Sequence, residues 1–295
     1  MAATPPVART PKAPDRAPAG RPRLRVRWDR VSVLVALVAV LATVIVHSMV
    51  AAVRNNLKSV DAKPAVTTVV PAPSAASQPK CPRPMPGVVR TAPVIHGETG
   101  EAQPTVALTF DDGPGPLTTD VLDVLQQNDV HATFFVIGQN AASEPEMLQR
   151  IVADGHAIGD HTWSHPIASA RPGWKASTLT KQISRTRQAI VDATGREPCL
   201  FRPPGGIVKG AERVAHAAGL SVILWSVDTR DWAAPPSRKF ASVIQKRAAA
   251  GLKEQHPVIL LHDGGNRMAT VAALPGIIND YRAHGYRFVT LDELG

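Results

Sequence analysis

Three hydropathy patterns follow one another along the chain. An uncharged apolar run opens at Val31, continues as Val, Leu, Ala and Ile to Val46, and reaches Val53 before the next charge, Arg54. Such a run spans roughly 30 Å as a helix, the hydrocarbon thickness of a bilayer. It has no polar face, so a membrane-spanning signal-anchor over 31–53 is expected rather than a buried core helix. Residues 54–102 follow with Pro-rich clusters such as the one from Pro71 to Ser77 and no apolar period. That composition predicts a disordered linker. From Thr105 onward, apolar runs of strand length alternate with segments whose apolar positions recur at helical spacing. The expected strands are 106–110, 132–137, 157–160, 200–202, 222–226, 258–261 and 287–290. The expected helices are 117–127, 146–154, 177–194, 211–218, 238–250 and 270–284, several followed by a glycine suited to a helix C-terminus.

Strands and helices in this order predict parallel strands covered by helices. Polar clusters fall after the strand ends, where barrels carry their chemistry. The expected fold class is therefore α/β: a distorted or partly open (β/α) barrel of about seven parallel strands over 103–295, preceded by the membrane helix and the linker.

Charge changes the functional picture. The sequence carries a formal +9, but eight Lys or Arg lie within residues 1–30 against Asp15 and Asp29. From Gln103 to Gly295, 19 basic residues balance 19 acidic ones. The basic cluster is a cytoplasmic tail ahead of the anchor, which orients the chain N-in with the domain extracytoplasmic. A nucleic-acid function loses its support. The rival reading is a signal peptide cleaved near Val50-Ala51-Ala52 and a secreted domain. Cys81 and Cys199 would share an oxidising compartment, and both a disulfide and two free thiols remain open.

Five clusters at strand ends carry candidate chemistry. In Thr109-Phe-Asp-Asp-Gly-Pro114, adjacent carboxylates diverge, so one can bind a metal while the other stays free as a base. In Asp160-His-Thr-Trp-Ser-His165, histidines at i and i+4 on one helical turn can reach one ion, which with a carboxylate gives a His-His-Asp set with open positions. Phe201-Arg-Pro-Pro-Gly-Gly206 fixes a tight turn able to present an amide to an oxyanion. Asp228-Thr-Arg-Asp-Trp232 and Val258-Ile-Leu-Leu-His-Asp263 complete the series. Each cluster alone has a bland reading as a turn, a solvated charge or a satisfied core histidine.

Taken together and in this order, TFDDGP, HTWSH, RPPGG, DTRDW and LLH resemble the motifs of polysaccharide deacetylases of the NodB-homology type, carbohydrate esterase family 4. The resemblance covers about residues 103–294. It implies one divalent metal ion, zinc first with cobalt or manganese as alternatives, held by Asp112, His161 and His165. It implies Asp111 as catalytic base, Arg202 as the holder of that carboxylate, His262 as general acid and Asp231 as its tuning partner. The amide near Gly205 would bind the oxyanion, and Trp232 and Leu260 would line the acetyl pocket. Many members carry an aromatic residue where Gly205 stands, which bears on substrate breadth. The implied partner is an acetylated polysaccharide, peptidoglycan or a chitin-like glycan, with the membrane reached through the anchor. No protein partner is inferable. An O-acetyl esterase acting on xylan-type glycans and a catalytically silent glycan-binding module are the competing readings.

Overall fold

The computed structural model describes residues 84–97, 100–168 and 173–293. The expected tail, membrane helix and most of the linker lie outside them. Among the described residues no helix is long and apolar enough to cross a membrane.

The strands are β1 (Val88–Val89), β2 (Ile95–His96), β3 (Ala102–Gln103), β4 (Thr105–Asp111), β5 (Thr133–Val136), β6 (Ala157–Asp160), β7 (Leu200–Phe201), β8 (Ser221–Ile223), β9 (Val227–Asp228), β10 (Val258–His262) and β11 (Arg287–Phe288). The helices are α1 (Thr118–Gln127), α2 (Gly138–Ser143), α3 (Pro145–Ala153), α4 (Ala176–Thr194), α5 (Ala211–Ala217), α6 (Ala241–Ala248) and α7 (Met268–Ala283). Nine strands form one sheet in the order β1-β8-β7-β6-β5-β4-β10-β9, with β11 added to β4, while β2 and β3 make a small antiparallel pair. The pairings within the large sheet are all parallel.

β8 lies near one end of this path and β9 at the other, yet only residues 224–226 join them. A linker that short reaches no more than about 14 Å. The sheet must therefore curl until its ends nearly meet, and it does so without hydrogen bonds between β8 and β9. A partly open parallel barrel is observed as expected, but with nine strands in the sheet where about seven were expected, because the extra ones are only two residues long.

Alternation along the strands sorts the core into two layers. Val106, Leu108 and Phe110 pack outward with the helices, together with Ile259 and Leu261. Ala107 and Val258 belong to a cluster with Phe135, Leu200 and Ile223. Thr109 and Asp111 share the phase of Ala107, and the parallel register sets Leu260 beside Thr109 and His262 beside Asp111. Asp111 and His262 thus lie side by side on one face of two neighbouring strands.

Several expectations need correction. Residues 84–97 and 100–102, assigned to the linker, are folded: β1 adds a strand beside β8, and Val89 and Ala92 are buried. Composition hid this because a two-residue strand carries no readable period. The helix expected at 238–250 divides into α6 between short 3-10 segments at Arg238–Phe240 and Ala249–Lys253. α2 and β9 were not expected, for the same reason of length. Cys199 is disulfide-bonded; Cys81, the chain's other cysteine, lies outside the described residues.

Candidate active site

Asp111 ends β4, with its side chain held by Arg202 after β7. Arg202 is fully buried and donates from one NH group to Asp111 Oδ1 at 2.7 Å and to Thr109 Oγ1 at 2.9 Å, and from the other to the Leu224 carbonyl at 3.2 Å. Its guanidinium stacks on Phe135 at 4.0 Å. Burial pulls the Arg202 pKa below its ordinary value, and the charge and hydrogen bond of Asp111 oppose this. A buried pair of this kind is costly to break, roughly 3–5 kcal/mol when one partner is removed.

The next residue, Asp112, leaves the strand at φ 73°, so the two carboxylates diverge as expected. Asp112, His161 and His165 bring their ligand atoms within 4.8 Å of one another. Here the route differs from the expectation. Residues 161–165 are not a helical turn: Thr162 and His165 take left-handed backbone angles of 69° and 50°, and this loop makes the two rings converge. The Thr162 amide donates to Asp160 Oδ1 at 2.7 Å, closing an Asx turn. Asp160 is itself fully buried, and burial raises its pKa well above the ordinary carboxylate value.

The protonation pattern tests whether these residues fit a metal ion. His161 Nδ1 lies 2.7 Å from the Arg202 carbonyl, so it must donate. Its Nε2 faces the carboxylates, 3.5 Å from Asp112 Oδ1 and 3.7 Å from Asp111 Oδ2. His165 Nε2 stands 3.2 Å from the same Asp112 oxygen, which is buried without a hydrogen-bond donor. Ligand atoms converging on one point can share a cation, and two imidazoles with one carboxylate suit a divalent transition metal. Burial works against an ionised Asp112, but the close approach of His161 and His165, with His262 farther off, holds its pKa well below the usual carboxylate range.

His262 ends β10. Asp231 takes its backbone N–H on Oδ2 at 2.8 Å and faces its Nδ1 with Oδ1 at 2.7 Å. Burial alone would lower the His262 pKa; the Asp231 hydrogen bond and charge, aided by Asp111 and Asp112, push it up to about 9. In the turn after β7, Pro203 and Pro204 lack an N–H, and the Gly206 amide is committed to the Pro203 carbonyl. Gly205 takes φ 63°, which favours glycine, and Ile167 lies 3.7 Å from where a β-carbon would sit. Ile167 is 62% exposed and Trp232 47% exposed. Leu260 lies inside the sheet beneath His262, whereas Trp232 stands at the surface with Arg230 5.8 Å from its ring.

Residues 99–223 match the polysaccharide deacetylase family. A peptidoglycan-N-acetylglucosamine deacetylase of Bacillus cereus is 40% identical over 205 residues, covering 68% of this chain and 92% of the relative. The chain belongs to the polysaccharide deacetylase family. The peptidoglycan-N-acetylglucosamine deacetylase PgdA of Listeria monocytogenes is 36% identical over 211 residues, which cover 71% of this chain and 42% of the Listeria protein. The chain thus spans less than half the length of that relative. The crystal structure of the Bc1960 peptidoglycan N-acetylglucosamine deacetylase with a hydroxamate-type benzamide superposes with a TM-score of 0.61 at 34% identity, covering 70% of this chain and 91% of that one.

Several residues of this deacetylase domain escaped the sequence reading. The first amides of α2, from Gly138 and Gln139, donate to the Thr162 and Trp163 carbonyls, and Asn140 Nδ2 donates to the Asp112 carbonyl at 2.9 Å. One short helix thereby pins both ligand loops. Asp263 packs its carboxyl where a β-carbon on Gly113 would have to be, and accepts from the Thr118 hydroxyl at 2.5 Å. Burial raises its pKa to about 7; the Thr118 hydrogen bond opposes this, and the charges of Asp112 and Asp111 add to it. Thr270 donates to Asp231 at 2.7 Å. Only Asp263 had a signal, as the residue after LLH; the others lie in elements without a motif.

Proposed function

We propose that the chain is a metal-dependent N-deacetylase that hydrolyses acetamido groups on sugars of a cell-wall polysaccharide, peptidoglycan first. The observation that carries this reading is the convergence of Asp112, His161 and His165 with a carboxylate base and an imidazole acid beside them. The names of the relatives support the substrate class.

A divalent ion held by Asp112, His161 and His165, with zinc the first choice, would supply Lewis acidity and lower the pKa of a bound water. Asp111 accepts the water proton on Oδ2, its other oxygen being tied to Arg202. The Gly205 amide donates to the developing oxyanion. His262, charged beside Asp231, delivers a proton from Nε2 to the departing amine. β4 and β10 are neighbours and Asp111 and His262 are register partners, so acid and base approach one substrate from adjacent strands. Leu260 and Trp232 bound the acetyl side of the site.

Acetate release tests this reading. The protein should free acetate from N-acetylglucosamine polymers, lose this activity on exhaustive chelation, and regain it with zinc, cobalt or manganese. Faster release from acetylated xylan would make it an O-acetyl esterase. No release from any glycan would leave a silent binding module.

The location belongs to the same proposal: an N-in signal-anchor over 31–53 that holds the domain outside the cell, supported by the apolar run and the basic residues before it. Protease added to intact cells should digest the domain and spare the N-terminal tail. Recovery of a soluble protein beginning near Val53 would establish secretion instead.

A further inference from the structure

Asp231 presents both oxygens to donors, and one of the donors comes from a distant helix. Thr270, the third residue of α7, is buried, and its hydroxyl lies 2.7 Å from Asp231 Oδ2. A carboxylate only accepts, so the hydroxyl donates. The same oxygen takes the His262 backbone N–H at 2.8 Å, while Oδ1 faces His262 Nδ1 at 2.7 Å. Two donors on one oxygen fix the plane of the carboxylate, whose terminal torsion is otherwise broad. The free lone pair of Oδ1 is then aimed at the imidazole.

Asp231 needs such a fixture. It opens the short 3-10 segment Asp231–Ala233, directly after Arg230, whose backbone is left-handed at φ 53°. Asp231 is the buried side chain of that segment, whereas Trp232 beside it is half exposed and is held through its carbonyl by Arg267 at 3.1 Å. α7 is 16 residues long, and its N-terminal end carries partial positive charge that favours an anion there.

We infer that Thr270 is a positioning residue for proton transfer: its hydroxyl holds Asp231 so that Asp231 orients the His262 imidazole toward the leaving amine. This rests on the reading of His262 as general acid, and the role ends at orientation, since the Thr270 hydroxyl donates to Asp231.

Thr270→Val keeps the shape and removes the hydroxyl. On an N-acetylglucosamine oligomer it should lower kcat roughly 10- to 100-fold, the usual range for partners that orient an active group, with KM unchanged. On an activated aryl acetate, whose leaving group departs unprotonated, it should lower kcat far less. Thr270→Ser should restore most of the amide activity. In a His262→Ala background, Thr270→Val should add no further loss, since both remove the same proton transfer. Zinc binding measured on each variant confirms folding. Should Thr270→Val not fold, Thr270→Ala carries the same expectation. Wild-type kcat in a folded Thr270→Val, or an equal loss on both substrates while His262→Ala distinguishes them, overturns the proposal. If His262→Ala itself loses equally on both, the general-acid reading has failed first, and the Thr270 assignment falls with it.

Discussion

Asp111→Asn should reduce kcat/KM for acetamide hydrolysis by about 10²–10⁴, the range for removal of a general base. The substituted side chain keeps an oxygen that can accept from Arg202, so the hydrogen bond at 2.7 Å persists in kind while the proton acceptor is lost. Asp112 and the two histidines are untouched, and zinc should bind with wild-type stoichiometry in a calorimetric titration. The variant should also melt earlier, because the buried Arg202 charge loses its counter-charge. That loss bears on stability, and the retained zinc binding separates it from catalysis. An Asp111→Asn protein that loses zinc would place Asp111 among the ligands and reverse the two carboxylate roles. Near-wild-type turnover would remove Asp111 from the chemistry.

His262→Ala should retain zinc as well, yet lose more on an amide than on an activated aryl ester. An amine cannot leave as its anion, whereas an aryl oxide can. Equal losses on the two substrates would reduce His262 to a packing residue at a strand end. The pH dependence gives a second check. His262 has its pKa pushed up to about 9 by Asp231 against the opposing effect of burial, so the protonated acid persists through neutral pH. Activity should fall as pH rises through that value. Asp231→Asn removes the nearest charge and leaves burial opposed chiefly by Asp111 and Asp112, which should move this limb to lower pH. The same pair stabilises the fold while His262 is charged: its contribution is complete below the ordinary histidine value of 6.5 and disappears as pH rises through about 9.

Much of the domain was written in local pattern. Strand and helix periods depend on neighbours within a few positions, so β4, β5, β6, β10 and the longer helices could be placed from residue order alone. The five polar clusters were legible because a parallel barrel puts its chemistry at strand ends. The motifs named the residues that the fold assembles, including Asp111, Asp112, His161, His165, Arg202, Asp231 and His262.

The tertiary structure decided what those residues do to one another. Adjacent carboxylates look alike in sequence; the pleat of β4 keeps Asp111 in line with Thr109 against Arg202, and a left-handed backbone turns Asp112 toward the histidines. His161 and His165 have helical spacing, but two left-handed residues and the amides of α2 bring them together, and neither device leaves a periodic trace. β1 became part of the sheet because β8 offered it an edge, a pairing between residues more than a hundred positions apart. Thr270 reached Asp231 across 39 residues. Period and composition report each segment's own preferences, whereas these features arise from hydrogen bonds that exist only once distant segments are packed side by side.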